Sequence, residues 1–268
     1  MATRFGWLAA WLMVLPVLPA QSQGLSQPSA PISISSSQSV ANLQLLPTPP
    51  DQGAPSGRQR GGATRGDCLA YQDLTALIPS VDGVVWSETA SDAPSFFFDI
   101  PAPLTSQTSL EFVIQDSNDN YTFRQELAVE ADAGIVEFAI PAGKATLTPG
   151  ETYAWTLSVY CDAARPSASV SVTGTLKRVD PRLVSVSRGL PEEGTASEPQ
   201  MDALSDALAE DSLMLVRQYA AVGLWHESIK LAFDLYRNAP SNTEYVAPIE
   251  ALLDQAGLAD VPLSIPQL

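Results

Sequence analysis

Apolar side chains recur at every second position between residues 84 and 180. Leu110, Phe112 and Ile114 share one face of a segment whose other face carries Glu111 and Gln115. Tyr121, Phe123 and Leu127 alternate with Thr122, Arg124 and Glu126, and Val170, Val172 and Leu176 alternate with serines and threonines. Phe96, Phe98 and Ile100 open the series ahead of Pro101. Period two is the signature of a strand with one buried face. It predicts about seven strands, over 84–87, 95–100, 109–115, 120–128, 134–140, 152–161 and 168–179, and such a run of short strands favours a β-sandwich. No helix-period segment interrupts them, so parallel βαβ units are not expected. A sheet that mixes parallel and antiparallel strands would count against this reading.

The period changes to helical over 200–257. Leu204, Leu208, Leu213, Leu215, Val216 and Tyr219 fit one amphipathic helix or two short ones, stopped by Gly223. A second helix runs from Trp225 to Asn238 with Ile229, Ala232, Phe233 and Tyr236 on one stripe, ended by Pro240; a third runs from Val246 to Ala256, closed by Gly257. His226, the only histidine, falls at the turn between the first two and is expected to face solvent.

The first sixty residues are a different polymer. A short basic start, Met1 to Arg4, precedes the apolar run Phe5–Leu18, which suits the core of a signal peptide and is too short to span a bilayer comfortably. Residues 1–20 are therefore read as a signal peptide, with cleavage after Ala20 and an uncleaved anchor as the alternative. Residues 21–60, rich in Ser, Pro and Gln, are read as a disordered tether. A β-domain over 61–180, a linker over 181–199 and a helical unit over 200–260 complete the division. The formal charge is −16, distributed as +2 over 1–60, −10 over 61–180 and −8 over 181–268. So acidic a chain lacks the basic surface that nucleic acid or anionic lipid requires, and neither is expected as a partner. After signal cleavage no membrane span is expected.

In an oxidising compartment the two cysteines read as one disulfide, Cys68–Cys161, because no other pair exists. Neither has the neighbouring ligands of a metal site, and the one His lies in the helical unit, away from either as a nucleophile's base.

The segment Leu147-Thr-Pro-Gly-Glu-Thr-Tyr153-Ala-Trp155-Thr-Leu157 resembles the turn that enters the sixth strand of fibronectin type III and immunoglobulin-like sandwiches. The resemblance implies that the Tyr153 hydroxyl bonds back to the upstream turn, a tyrosine corner. Tyr219, Gly223, Trp225, Ile229 and Pro240 resemble one tetratricopeptide-like hairpin. A lone hairpin must dock on the sandwich, on a partner or on its own copy. Gly61 to Cys68, Leu74 to Pro79, Ser95 to Pro101 and Tyr153-x-Trp155-x-Leu-Ser158-x-x-Cys161 together resemble an exported cyanobacterial family, domain of unknown function 928. That resemblance implies an extracytoplasmic location and a mainly β fold with an α-helical tail. It carries over no activity and no catalytic residue.

No G-x-S-x-G, H-E-x-x-H or P-loop is present, and the paired acids Asp116/Asp119 and Glu192/Glu193 have no partner at a recognisable spacing. Asp116-x-Asn118-x-Asn120 lacks the glycine and terminal glutamate of an EF-hand and reads as a hairpin turn. No cofactor or metal is expected. Arg65 has two readings, a guanidinium offered to an anionic partner and a donor to carbonyls at the sandwich end, the second preferred. Arg65 and Trp225 are the candidate partner contacts. The function expected is a non-catalytic binding or scaffold module for an extracytoplasmic protein or glycan, in the periplasm or at the cell surface. A structural cell-envelope component and a hydrolase with an unrecognised carboxylate site are the alternatives.

Overall fold

The computed structural model describes residues 56–62, 66–127, 130–145, 147–162, 167–182 and 201–264, with side chains described throughout except at 66–67 and 201–210. Every described residue belongs to one compact unit within Ser39–Leu268. The segment read as a signal peptide, most of the segment read as a tether, Arg65, Glu192 and Glu193 lie outside the described residues.

A 3-10 turn, Gly66–Tyr71, leads into nine strands: β1 Thr75–Ala76, β2 Ser80–Val81, β3 Val84–Thr89, β4 Ser95–Ile100, β5 Ser109–Gln115, β6 Tyr121–Leu127, β7 Gly134–Ala139, β8 Thr152–Tyr160 and β9 Ser169–Arg178. Three helices follow, α1 Met201–Ala221, α2 Trp225–Asn238 and α3 Val246–Gln255. The seven alternating segments are β3 to β9. The two-residue β1 and β2 are too short to leave a periodic signal.

The strands form a six-stranded sheet, β2-β3-β9-β8-β5-β6, and a three-stranded sheet, β1-β4-β7. Pairing is antiparallel except between β3 and β9, where Trp86 to Thr89 run parallel to Thr175 to Arg178. The larger sheet is therefore mixed, an outcome that counts against the sequence reading: the expectation of sheets without parallel pairs is corrected, and what stands is two sheets and a mainly β fold. The cause is topological: β3 and β9 are separated by all the other long strands, so the body of the sandwich serves as the crossover and no βαβ helix is needed. The fold is mainly β with a helical region at its C-terminal side.

The core between the sheets is aromatic. Phe96 and Phe98 of β4 face Phe112 of β5 and Trp155 of β8, with ring centroids 4.8–6.1 Å apart across the two sheets. Phe97 points the other way and stacks on Phe233 of α2 at 4.6 Å. The unbroken Phe96-Phe97-Phe98 run thus has a physical reason: the smaller sheet is covered on both faces, by the larger sheet and by α2, so alternation is lost there. The helical hairpin docks on the sandwich, and its Trp225, Ile229, Ala232 and Phe233 join the core that contains Phe96 and Trp155. Ser228 on α2 donates to the Val216 carbonyl of α1 at 2.9 Å, holding the hairpin closed.

Ser56 to Arg60, assigned by composition to the tether, are instead hydrogen-bonded. Arg58 exchanges both backbone bonds with Thr173 of β9, and Ala76 donates to the Gln59 carbonyl. This strip fills the β9 edge beyond the start of β3, so backbone groups that composition cannot reveal find partners there.

Candidate functional site

The two cysteines form the Cys68–Cys161 disulfide, with Cα atoms 5.4 Å apart. It ties the 3-10 turn to the residue after β8. The Tyr153 hydroxyl accepts from the Thr148 N–H at 2.7 Å, closing the turn ahead of β8.

Two sequence expectations are corrected at the hairpin turn. His226 is only 2% exposed, because the first turn of α2 packs against β3 of the larger sheet and β4 of the smaller one rather than standing in solvent. Its Nδ1 donates to the Ser95 carbonyl of β4 at 2.8 Å, and its Nε2 lies 2.9 Å from the Ser87 hydroxyl of β3. A carbonyl can only accept, so Nδ1 carries the proton and, in the neutral ring, Nε2 accepts from Ser87. Burial holds the His226 pKa down at about 4, against the smaller opposing effect of the Ser95 bond. Trp225, named as a partner contact, is likewise buried, and its indole N–H donates to the Leu77 carbonyl at 2.8 Å. Its hydrogen bond and its apolar surface are both used inside the fold.

A hydroxyl beside an imidazole, itself oriented by a carbonyl, has the parts of a nucleophile and its base. Ser87 and His226 are both sealed in the core, so the pair serves as a brace between the sheets. Beside it, one Glu227 carboxylate oxygen accepts from the Thr89 hydroxyl and the Ala90 and Ser91 N–H groups at 2.7–3.0 Å. Burial raises the Glu227 pKa against those three donors.

The accessible chemistry lies at the free edge of the larger sheet. Asp116 closes the β5–β6 turn by accepting from the Asn118 and Asn120 N–H groups and from the Asn120 side chain, which lower its pKa, the side-chain bond most. The Asp116 carboxylate is thus committed to the turn's geometry, as the hairpin reading expects. The β5–β6 register then slips: Ile114 pairs with Phe123 but Gln115 pairs with Tyr121, so Thr122 is a bulge residue. The slip turns Tyr121 out of the core face that alternation assigns to it, and it stands 61% exposed.

Tyr121, Thr122, Arg124 and Gln125 of β6 face Pro141 and Lys144 across an open groove of about 370 Å³. Lys144 is held by a turn in which Gly143 adopts φ +73°, a conformation that suits glycine. The turn closes with Lys144 N–H donating to the Pro141 carbonyl at 3.0 Å. The Arg124 guanidinium lies 5.4 Å from the Tyr121 ring centroid and donates to Glu111 at 2.6 Å, while the Tyr160 hydroxyl donates to the other Glu111 oxygen at 2.7 Å. That bond is the main cause of a raised Tyr160 pKa. Glu111 therefore fixes the arginine, whose guanidinium lies over one face of the Tyr121 ring, and Tyr121 still stands largely exposed. Among the described residues Lys144 has no carboxylate within ion-pair distance. Alternation places Tyr121 inside, and only the bulge, invisible in the sequence, brings it out. No group of three or more His, Cys, Asp or Glu side chains among the described residues is placed to hold a metal ion. None of the helices described is long and apolar enough to cross a membrane.

A family model described as Domain of Unknown Function (DUF928) matches residues 60–264. No curated protein matches the chain. Among solved structures, the crystal structure of the C-terminal domain of wzt is similar at 8% identity and a TM-score of 0.29, over 55% of this chain and 93% of that one.

Proposed function

The chain belongs to the DUF928 family, and we propose that it is an exported, non-catalytic binding module that holds a glycan in the β6 groove. The observation that carries this reading is the exposed Tyr121 ring, set by a bulge beside Arg124, Gln125 and Lys144. A sugar ring presents an apolar face that packs on an aromatic ring, and hydroxyls that accept from guanidinium, ammonium and amide donors. A peptide strand added to the β6 edge fits less well, because Arg124 and Glu126 place charge on that strand and the bulge breaks its ladder. Export is supported by the leader-like run Phe5–Leu18 and by the disulfide. The non-catalytic part is supported by the enclosure of the Ser87–His226 pair.

Affinity electrophoresis through gels that contain single polysaccharides tests the reading. The expected result is retardation of the native chain by at least one polymer and free migration of Tyr121→Ala. Equal retardation of both proteins, or retardation of neither by any polymer, would overturn it.

A further inference from the structure

The helical end carries a second concavity, independent of the β6 groove. Tyr236 of α2, Glu250, Leu253 and Asp254 of α3, and Val261 and Leu263 of the tail line a cavity of about 570 Å³. Its floor is apolar: Leu253 and Val261 are buried core residues. The tail that forms its far wall is tied to the sandwich by Ile135 N–H donating to the Ser264 carbonyl at 2.7 Å. The wall is therefore fixed, and the cavity is part of the fold.

The rim is acidic and unneutralised. Glu250 and Asp254 lie one helical turn apart, so their carboxylates share a face and repel each other. Both are exposed, and among the described residues neither has an ion-pair partner. Asp254 also sits in the last turn of α3, where the helix dipole is negative and where no basic residue offsets it. Lys230 and Arg237, the nearby cations of α2, are engaged with Glu137 and Asp234. An apolar floor beneath two uncompensated carboxylates and a negative helix end is complementary to an apolar anchor flanked by positive charge.

We infer that this cavity is a docking site for a basic amphipathic peptide segment of a partner protein. An apolar side chain of the segment enters over Leu253 and Val261, and Lys or Arg beside it pairs with Glu250 and Asp254.

A fluorescein-labelled Lys/Leu amphipathic peptide, titrated by anisotropy into the full chain, is the test. Saturable binding is expected, weakened at least ten-fold by Glu250→Lys with Asp254→Lys and abolished when the peptide's lysines are replaced by glutamates. Glu126→Lys with Glu151→Lys, exposed sites on the sandwich, changes the net charge equally and should leave binding within two-fold of native. Equal weakening by both double variants would mean diffuse attraction to an acidic protein and would overturn the inference. Binding that ignores the Glu250/Asp254 change, or no saturable binding at all, would do the same. Circular dichroism of each variant establishes that it is folded.

Discussion

His226 and Ser87 lie 2.9 Å apart in the core, with the imidazole held from its other side by the Ser95 carbonyl. Ser87 belongs to the larger sheet and Ser95 to the smaller, so one side chain from the helical hairpin pins both sheets. The Phe96 ring packs with its centroid 4.6 Å from that of the imidazole, so an apolar ring, a poor solvent for a charged one, lies against it.

The brace predicts how stability depends on pH. The unfolded His226 takes up its proton near pH 6.5 and the folded one only near pH 4. Between those values the unfolded state binds more protons, so stability falls as the solution is acidified through that window. A shift of that size corresponds to about 3 kcal/mol at full extent. Glu227 works in the opposite sense: its raised folded pKa favours the native state at low pH and that contribution is lost as pH rises. Urea midpoints from pH 4 to pH 8 for the native chain and His226→Gln should separate the two. The native chain is expected to lose more stability on acidification than the variant; parallel profiles would contradict this.

Glu227 also holds the β3–β4 turn through three donors on a single carboxylate oxygen. Glu227→Ala leaves the Ala90 N–H without that acceptor, while the Ser91 N–H keeps its bond to the Thr89 hydroxyl oxygen at 3.0 Å, so the expected cost is that of one orphaned donor, about 1–3 kcal/mol. The urea midpoint should drop accordingly, and limited proteolysis should cut earliest between residues 89 and 94.

Much of this architecture is legible in the sequence, since period two at Leu110, Phe112 and Ile114 and period 3.6 at Ile229 and Phe233 report burial on one face. What stays hidden has three physical sources. Strand pairing between distant segments, such as β3 with β9, leaves no trace in local alternation. Docking of one element on another changes burial without changing the pattern, which is why His226 and Trp225 read as surface residues and are core. The β6 bulge costs one residue of register, and no composition marks it, so Tyr121 reads as core and is exposed.

The disulfide closes a 93-residue separation. Cross-linking a loop of that length restricts the unfolded chain by about 4–5 kcal/mol in the loop-entropy model, and losing a native disulfide costs about 2–5 kcal/mol in practice. Cys68→Ser with Cys161→Ser should lower the thermal midpoint by several degrees. Dithiothreitol should do the same to the native chain and leave the double variant unaffected.

Trp155 lies directly across from Gly174 in the β8–β9 pairing. The indole covers the glycine so closely that a Cβ placed there would stand 2.5 Å from Trp155 Cζ2 and 2.7 Å from a Val85 methyl. Neither neighbour can withdraw easily: Trp155 is wedged against Phe96 and Phe98, and Val85 is buried on β3. Gly174→Ala, which in an open strand would be neutral or mildly stabilising, is therefore expected to cost about 1–3 kcal/mol, the range for overpacking a filled core. The double variant Gly174→Ala with Trp155→Phe separates the causes. A smaller ring frees the space at Cζ2, so adding alanine to the phenylalanine background should cost less than adding it to the native one. Equal costs in the two backgrounds, read from urea midpoints, would place the strain against Val85 or in the β9 backbone instead of against the indole.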